Sequence, residues 1–392
     1  MRLRLIVEVI AIIAVAGCGS SSSRAATDTA VTTSPSTTAA PTITPSGVPA
    51  TPPTSLSTPP TVTSPNSAAP TTAQAEVTVP ASTEAPTTTV PALTGNWQSS
   101  DVGTDLFLTV SCAARNFCVA INQTDNAYIY NGASWSAPTP ADSPYNVKTV
   151  SCPSATMCVV ADIQGGYSLF NGSTWTQRKN ISKEHRSDSI DGLACPTTTF
   201  CIAVTNSGAA ITFDGRAWSP PTMMDPPAAA AIDAINAGGN GDLPVLHLSC
   251  SSAQFCMIVD NLGSAIPYAN GAWGPPVQLD TAAGKPEALS CSPDTFCVAA
   301  ESGSTYFTFD GTTWSAGQTS PQTVFGPLAC SSKSFCMTTG NYWSIFDGTT
   351  WRSSFGHDSN GQGPSQTFAL SCTPDKFCVS AGAYASISLY TP

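Results

Sequence analysis

Fourteen cysteines stand in seven pairs, and five residues separate the members of every pair. Cys112 goes with Cys118, Cys152 with Cys158, Cys195 with Cys201 and Cys250 with Cys256. The last three pairs are Cys291 with Cys297, Cys330 with Cys336, and Cys372 with Cys378. Successive pairs begin about 40 residues apart, with one insertion between the third and the fourth. Behind six of the pairs comes a second mark: YNGASW, FNGSTW, FDGRAW, YANGAW, FDGTTW and FDGTTW. Self-similarity at this period restricts the chain to a propeller or a solenoid. No helical period runs through the unit, and its fifth copy reads as four short strands, 287–291, 296–300, 305–309 and 313–316. Asn-Gly and Asp-Gly mark the hairpin turns, because a tight turn needs positive φ. Four strands in ~40 residues make a propeller blade.

The seventh copy stops at Leu389-Tyr390-Thr391-Pro392 before any such turn, while Gly95-Asn96-Trp97 imitates the Gly-x-x-Trp ending ahead of the first copy. The N-terminal strand is therefore expected to complete the last blade. The fold class that follows is all-β: a seven-bladed β-propeller over 95–392, clasped shut so that no blade edge stays open.

Each cysteine pair then straddles the hairpin between a blade's first two strands, where facing Cβ atoms lie within disulfide reach. Seven disulfides are expected, one within each of the pairs above. Zinc sites prefer tighter knuckles with a second ligand pair, and the chain has only three histidines, His185, His247 and His357. No metal and no cofactor is expected. Paired cysteines at this density belong to an exported protein. The net charge of -11 argues against nucleic acid or an anionic membrane surface as partner.

Ahead of the repeats the chain changes character twice. Arg2 and Arg4 precede an apolar run, Leu5 to Ala16, too short to span a bilayer. It ends in Val15-Ala16-Gly17-Cys18, which resembles the bacterial lipobox. That resemblance implies a signal peptide over 1–18, a lipid on Cys18 and a place on the outer face of the cell membrane. Residues 19–94 are nearly all Ser, Thr, Pro and Ala, a composition that cannot offset its ordering entropy and reads as a disordered tether. The combination looks like actinobacterial surface lipoproteins.

The Asp310-Gly311-Thr312-Thr313-Trp314 turn resembles the Asp-box of sialidase-type propellers, without its usual spacing between acid and glycine. In that family the box is structural, which implies that Trp135, Trp175, Trp218, Trp273, Trp314 and Trp351 pack between blades. The arginine triad of that family has no counterpart at equivalent repeat positions. Glycosidases need paired carboxylates, and Glu184, Glu287 and Glu301 are the only glutamates of the repeat region. Nucleophile elbows, phosphate loops and histidine clusters do not occur, so no catalytic residue is assigned.

Two features read as binding candidates. Four residues past each second cysteine stand Asn122, Asp162, Thr205, Asp260, Glu301, Gly340 and Gly382, a partly acidic ring at the end of the second strands. Asn122, Asp162, Asp260 and Glu301 would face a ligand there, or else bond the following turn. The other feature is three long connections, 177–192, 219–246 and 353–367, which leave the rigid scaffold on the face away from the cysteine hairpins. The first holds Arg178, Lys179, Lys183, His185 and Arg186, and the second an Ala-rich stretch suited to a short helix. The expected role is that of a monomeric, lipid-anchored binding module for a protein or a cell-envelope glycan. A polysaccharide hydrolase or lyase is the alternative.

Overall fold

In the computed structural model the described residues are 95–392, apart from 104, 142–145, 182–188, 238–242, 280–284, 302, 321–325, 341, 356–363 and 365. Cys18, the signal peptide, the 19–94 tether and parts of the three long connections lie outside them.

Seven antiparallel sheets follow one another along the chain, and each is a blade. Blade 1 runs Phe107–Ala114, Phe117–Asn122, Asn126–Tyr130 and Thr139–Pro140. Blade 7 takes three strands from the C-terminus, Thr367–Cys372, Cys378–Gly382 and Ser386–Thr391, and its fourth, Asn96–Asp101, from the N-terminus. Trp97 pairs with Tyr390 and is buried against Trp343 and Tyr390, with ring centroids 5.8 and 5.3 Å away. The expected clasp is present.

The fourth strands differ from the sequence reading. That reading puts a continuous strand at 313–316, but the chain makes one bridge at Trp314, leaves the ladder, and pairs again only at Gln318–Thr319. In four blades a hydroxyl just after the tryptophan takes over a bond of the ladder, and in blade 4 Gly274 stands at that place. Ser136, Thr176, Ser219 and Ser315 each accept, through the side-chain oxygen, a backbone N–H of the third strand at 2.9–3.1 Å. Blade 6 keeps an unbroken fourth strand, Trp351–Phe355.

Every expected cysteine pair is a disulfide, with Cα atoms 3.9–4.1 Å apart. Cys112 is bonded to Cys118, Cys152 to Cys158, Cys195 to Cys201 and Cys250 to Cys256. Cys291 is bonded to Cys297, Cys330 to Cys336 and Cys372 to Cys378. The second members, Cys118, Cys158, Cys201, Cys256, Cys297, Cys336 and Cys378, are all 0 % exposed, because each lies on an inner strand of its sheet. The first members lie nearer the channel, and Cys112, Cys250 and Cys372 are partly exposed.

The Asn/Asp-Gly turns lie beside these hairpins, on the same end of the molecule: Gly132 stands over Asn116, Gly172 over Thr156 and Gly215 over Thr199. Gly311 has φ +102°, as the turn requires, and Asp310 Oδ1 accepts the N–H groups of Thr312 and Thr313 at 2.8 Å each. Those donors, with the Thr312 hydroxyl, hold the Asp310 carboxyl down to about 2.

The core is seven wedges between neighbouring blades rather than one central mass. Each tryptophan of the turn motif stacks on the aromatic that ends its own third strand, as Trp135 on Tyr130 and Trp314 on Phe309, within an interblade wedge. The residue before the second cysteine then reaches the next blade: Phe117 to Phe170, Phe200 to Tyr268, Phe255 to Phe309, Phe296 to Phe346, Phe335 to Tyr390 and Phe377 to Tyr130, at 5.7–6.3 Å. Ring pairs of this kind contribute about 0.5–1.5 kcal/mol each beyond buried area. In blade 2 Met157 takes that place.

Candidate functional site at the channel mouth

The seven first strands stand around a central channel. One residue before the first cysteine, a serine recurs in five blades, and it ties the ring together. Ser111, Ser151, Ser249, Ser290 and Ser371 each accept, through Oγ, the cysteine N–H of the following blade at 2.8–3.0 Å. The bond from Cys112 to Ser371 closes blade 7 onto blade 1. Blades 3 and 6 carry Ala194 and Ala329 at this position. The channel end at the disulfides is a cavity of ≈ 290 Å³.

Two residues before the cysteine stand Val110, Val150, Leu193, Leu248, Leu289, Leu328 and Leu370, which form an apolar waist. Beyond the waist the channel opens into a cavity of ≈ 590 Å³ at the end away from the disulfides. Here five first strands carry an extra residue that skips the ladder, as between Val147 and Thr149 or between Ile190 and Gly192. Such a bulge re-aims its side chain. The unpaired residues are Leu108, Lys148, Asp191, Glu287 and Phe368, and all five line the mouth. Blade 4 lacks the extra residue, so its register brings His247 rather than Leu246 to the wall.

The mouth is electrically organised. Lys148 Nζ donates to Asp191 Oδ1 at 2.5 Å, and Asp191 Oδ2 accepts the Leu246 N–H at 3.2 Å. The Asp191 side chain is almost wholly buried, whereas that of Lys148 is 37 % exposed. Enclosure by the channel wall lowers the half-buried His247 imidazole to about 4, against the field of Asp191 and helped by that of Lys148. His247 is therefore neutral at neutral pH, with one ring nitrogen able to donate and the other to accept. Glu287 is exposed, and Phe368 presents 42 % of its surface.

The acidic ring expected from the sequence sits elsewhere. Asn122, Asp162, Asp260 and Glu301 are at most 1 % exposed, and none of them lines the channel. Asn122 Oδ1 accepts the N–H groups of Thr124 and Asn126, and Asp162 Oδ1 those of Gln164 and Gly166. Asp260 Oδ1 treats Leu262 and Ser264 in the same way. These are the turn bonds of the plainer alternative. Thr205 caps its turn through Ala209 N–H, and at Gly382 a Cβ would stand 2.3 Å from the Gln366 carbonyl.

Above those turns, the same repeat position has two different partners. Asp162 is held by Arg178, whose Nε and Nη2 donate to Oδ2 at 2.5 Å and Oδ1 at 3.0 Å. Asp260 instead meets Asp225, the N-cap of a helix α1, Pro226–Asn236. The helix matches the Ala-rich stretch of the second long connection. Burial first, and then the facing Asp260, raise the Asp225 carboxyl to about 6. Of the cationic group read in the first connection, Arg178 is thus committed to Asp162, and Lys183, His185 and Arg186 lie outside the described residues. Among the described residues no three His, Cys, Asp or Glu side chains converge as a metal site.

No protein-family model matches the chain, and no curated protein matches it in sequence. Solved structures do resemble it. YCF48 bound to D1 peptide superposes with a TM-score of 0.58 at 16% identity, over 77% of this chain and 99% of that one. YCF48 from Cyanidioschyzon merolae gives 0.56 at 13% identity, over 76% and 99%. A streptogramin B lyase structure gives 0.58 at 10% identity, over 76% and 98%. What the chain shares with all three is the propeller.

Sequence reasoning missed the mouth because it sought the binding ring at the ends of the second strands, whereas the channel is lined by the first strands. The signal was present in the repeats. Two residues before the cysteine the column is Val or Leu in all seven copies, while four before it reads Leu108, Lys148, Asp191, Leu246, Glu287, Gly326 and Phe368. A column that varies in charge beside one that does not is what a channel mouth above an apolar waist leaves in a sequence.

Proposed function

We propose that this propeller is a binding module whose channel mouth takes a peptide segment of a partner protein. The observation that carries the reading is the composition of the mouth. An exposed phenyl ring, a free carboxylate and a neutral imidazole surround a concave cavity floored by Val and Leu. Such a mixture of apolar wall and few oriented polar groups suits a side chain entering from above. A propeller of this fold has been solved with a peptide bound, YCF48 with the D1 peptide, and the same class of ligand is proposed here. The alternative, in its polysaccharide hydrolase form, would need a second free carboxylate near Glu287. Asp191 is instead engaged by Lys148 and the Leu246 amide.

We further infer that the module works outside the cytoplasm, anchored through a lipid on Cys18 and held off the membrane by residues 19–94. The Val15-Ala16-Gly17-Cys18 motif and seven disulfides support this. Selection of a displayed random-peptide library on the full chain tests the binding role. Linear sequences should be enriched, and a Phe368→Ala chain should retain them poorly; no enrichment above background would overturn the reading. Fatty-acid labelling tests the anchor, which fails if Cys18→Ser takes up label like the parent.

A further inference from the structure

We propose that the peptide segment is read through one basic side chain, a lysine or arginine whose charged head sits in the mouth between Glu287 and Phe368. This rests on the peptide-binding reading above and adds a chemical class to it.

The argument begins with the charges that face the mouth: Lys148, Asp191, Glu287 and the His247 imidazole. Lys148 and Asp191 neutralise one another at 2.5 Å, and the second Asp191 oxygen is occupied by the Leu246 N–H. His247 carries no charge at neutral pH. Glu287 therefore remains as the one uncompensated charge of the mouth among the described residues, and it has no hydrogen-bond or ion-pair partner there. A carboxylate at the rim of a concave cavity attracts a cation that enters it.

The neighbouring blades sharpen that preference. Blade 6 stands between Glu287 and Phe368, and it contributes Gly326 and Pro327 to the wall. Gly326 has φ +106°, and an added Cβ would lie 2.2 Å from the Thr339 carbonyl, so the backbone demands a residue without a side chain. The way from carboxylate to phenyl ring is thus left open. A guanidinium or ammonium there would have an anion on one side and the exposed Phe368 ring on the other, and aromatic rings attract cations. On blade 4, the neighbour of Glu287, the neutral His247 supplies a nitrogen that accepts a hydrogen bond, as a cationic head requires. Below, the Val and Leu waist sets a floor that a charged head does not cross. An acidic ligand would find Lys148 already taken. The overall charge of -11 steers basic segments toward the protein as well.

Five-residue peptides test this on the full chain: acetylated, amidated, alanine at the flanks, with Arg, Lys, Gln, norleucine or Glu at the centre. Titration should give the Arg and Lys peptides about tenfold tighter binding than Gln or norleucine, weakening as salt is raised. Glu287→Gln should abolish most of that preference, and Phe368→Leu should reduce it about threefold. Both side chains are exposed, so unchanged thermal melting would certify that the variants fold. Norleucine or Gln bound as tightly as Arg, or a basic preference that survives Glu287→Gln, overturns the proposal. Library selections that enrich peptides without basic residues overturn it while leaving peptide binding intact. If no peptide is bound at all, both readings fall.

Discussion

The two ends of the propeller are built on opposite plans. At the disulfide end the blades repeat the same devices: a bridge and a serine or alanine before the cysteine in all seven, and in blades 1, 2, 3, 5 and 6 an Asx-type turn on a glycine of positive φ. At the mouth end each blade differs. Five carry a bulge with a different residue in it, one carries His247 in unbroken register, and one presents Gly326. Redundancy at one end means that no single residue there has to be special. The other end is thereby free to vary, since its side chains are held by a frame that does not depend on them.

Four experiments would break or sharpen this contrast. The largest effect should follow full reduction. Each bridge closes a short loop worth ~2 kcal/mol in the chain-entropy model, so seven together reach about 15 kcal/mol, the upper end of the net stability of an ordinary domain. Circular dichroism of the reduced chain should show loss of the fold near 37 °C, and a reduced chain that melts like the oxidised one would remove the disulfide end from the stability account.

Next comes Arg178→Ala at the mouth end. It strands the Asp162 carboxylate, which is 0 % exposed, and should cost about 3 kcal/mol in chemical denaturation. A cost below about 1 kcal/mol would mean that the turn N–H groups satisfy Asp162 alone.

The third is a pH effect at the equivalent place in blade 4. Folded Asp225 holds its proton up to about 6, whereas an unfolded aspartate releases it near 3.8. Its contribution to stability is therefore complete at low pH and lost as pH rises through that window. His247 has the opposite sign: its folded value of about 4 lies below 6.5, so its contribution is lost as pH falls. Comparing melting curves of the parent and Asp225→Asn from pH 4 to 7 isolates the first effect, because asparagine still caps α1. A difference that does not change with pH would mean that Asp225 does not hold its proton in the folded chain.

The smallest effects belong to the serine ring. Ser290→Ala leaves the Cys330 N–H without its acceptor and should cost about 1 kcal/mol. Ala329→Ser, which offers the missing acceptor to Cys372 N–H, should gain a few tenths to about 1 kcal/mol. If both changes are silent, the ring follows the fold without supporting it.

Much of the frame was legible because its determinants are local. A cysteine pair across a five-residue hairpin, such as Cys291 with Cys297, and an Asp-Gly turn depend on neighbours in the chain, so each copy announces them. Even the closure could be read, since the seventh copy lacks its Gly-x-x-Trp ending and Trp97 supplies one. The mouth was not legible in the same way. Lys148, Asp191, His247, Glu287 and Phe368 stand on five different blades, and only the closed ring shows that the first strands bring them to one cavity, with His247 out of the column that the other four follow. The fourth strands were misplaced where a hydroxyl takes over a ladder bond.

The sequence by itself determined the number of blades, their strand order, the bridges and the clasp, because those follow from short-range geometry repeated seven times. Only the tertiary structure decided what the blades present together. It buried Asn122, Asp162 and Asp260 as turn caps, set Asp225 against Asp260, and left Glu287 exposed in a cavity beside a neutral His247. The physical reason is that charge and burial at the axis are properties of all seven blades at once, and no single repeat contains them.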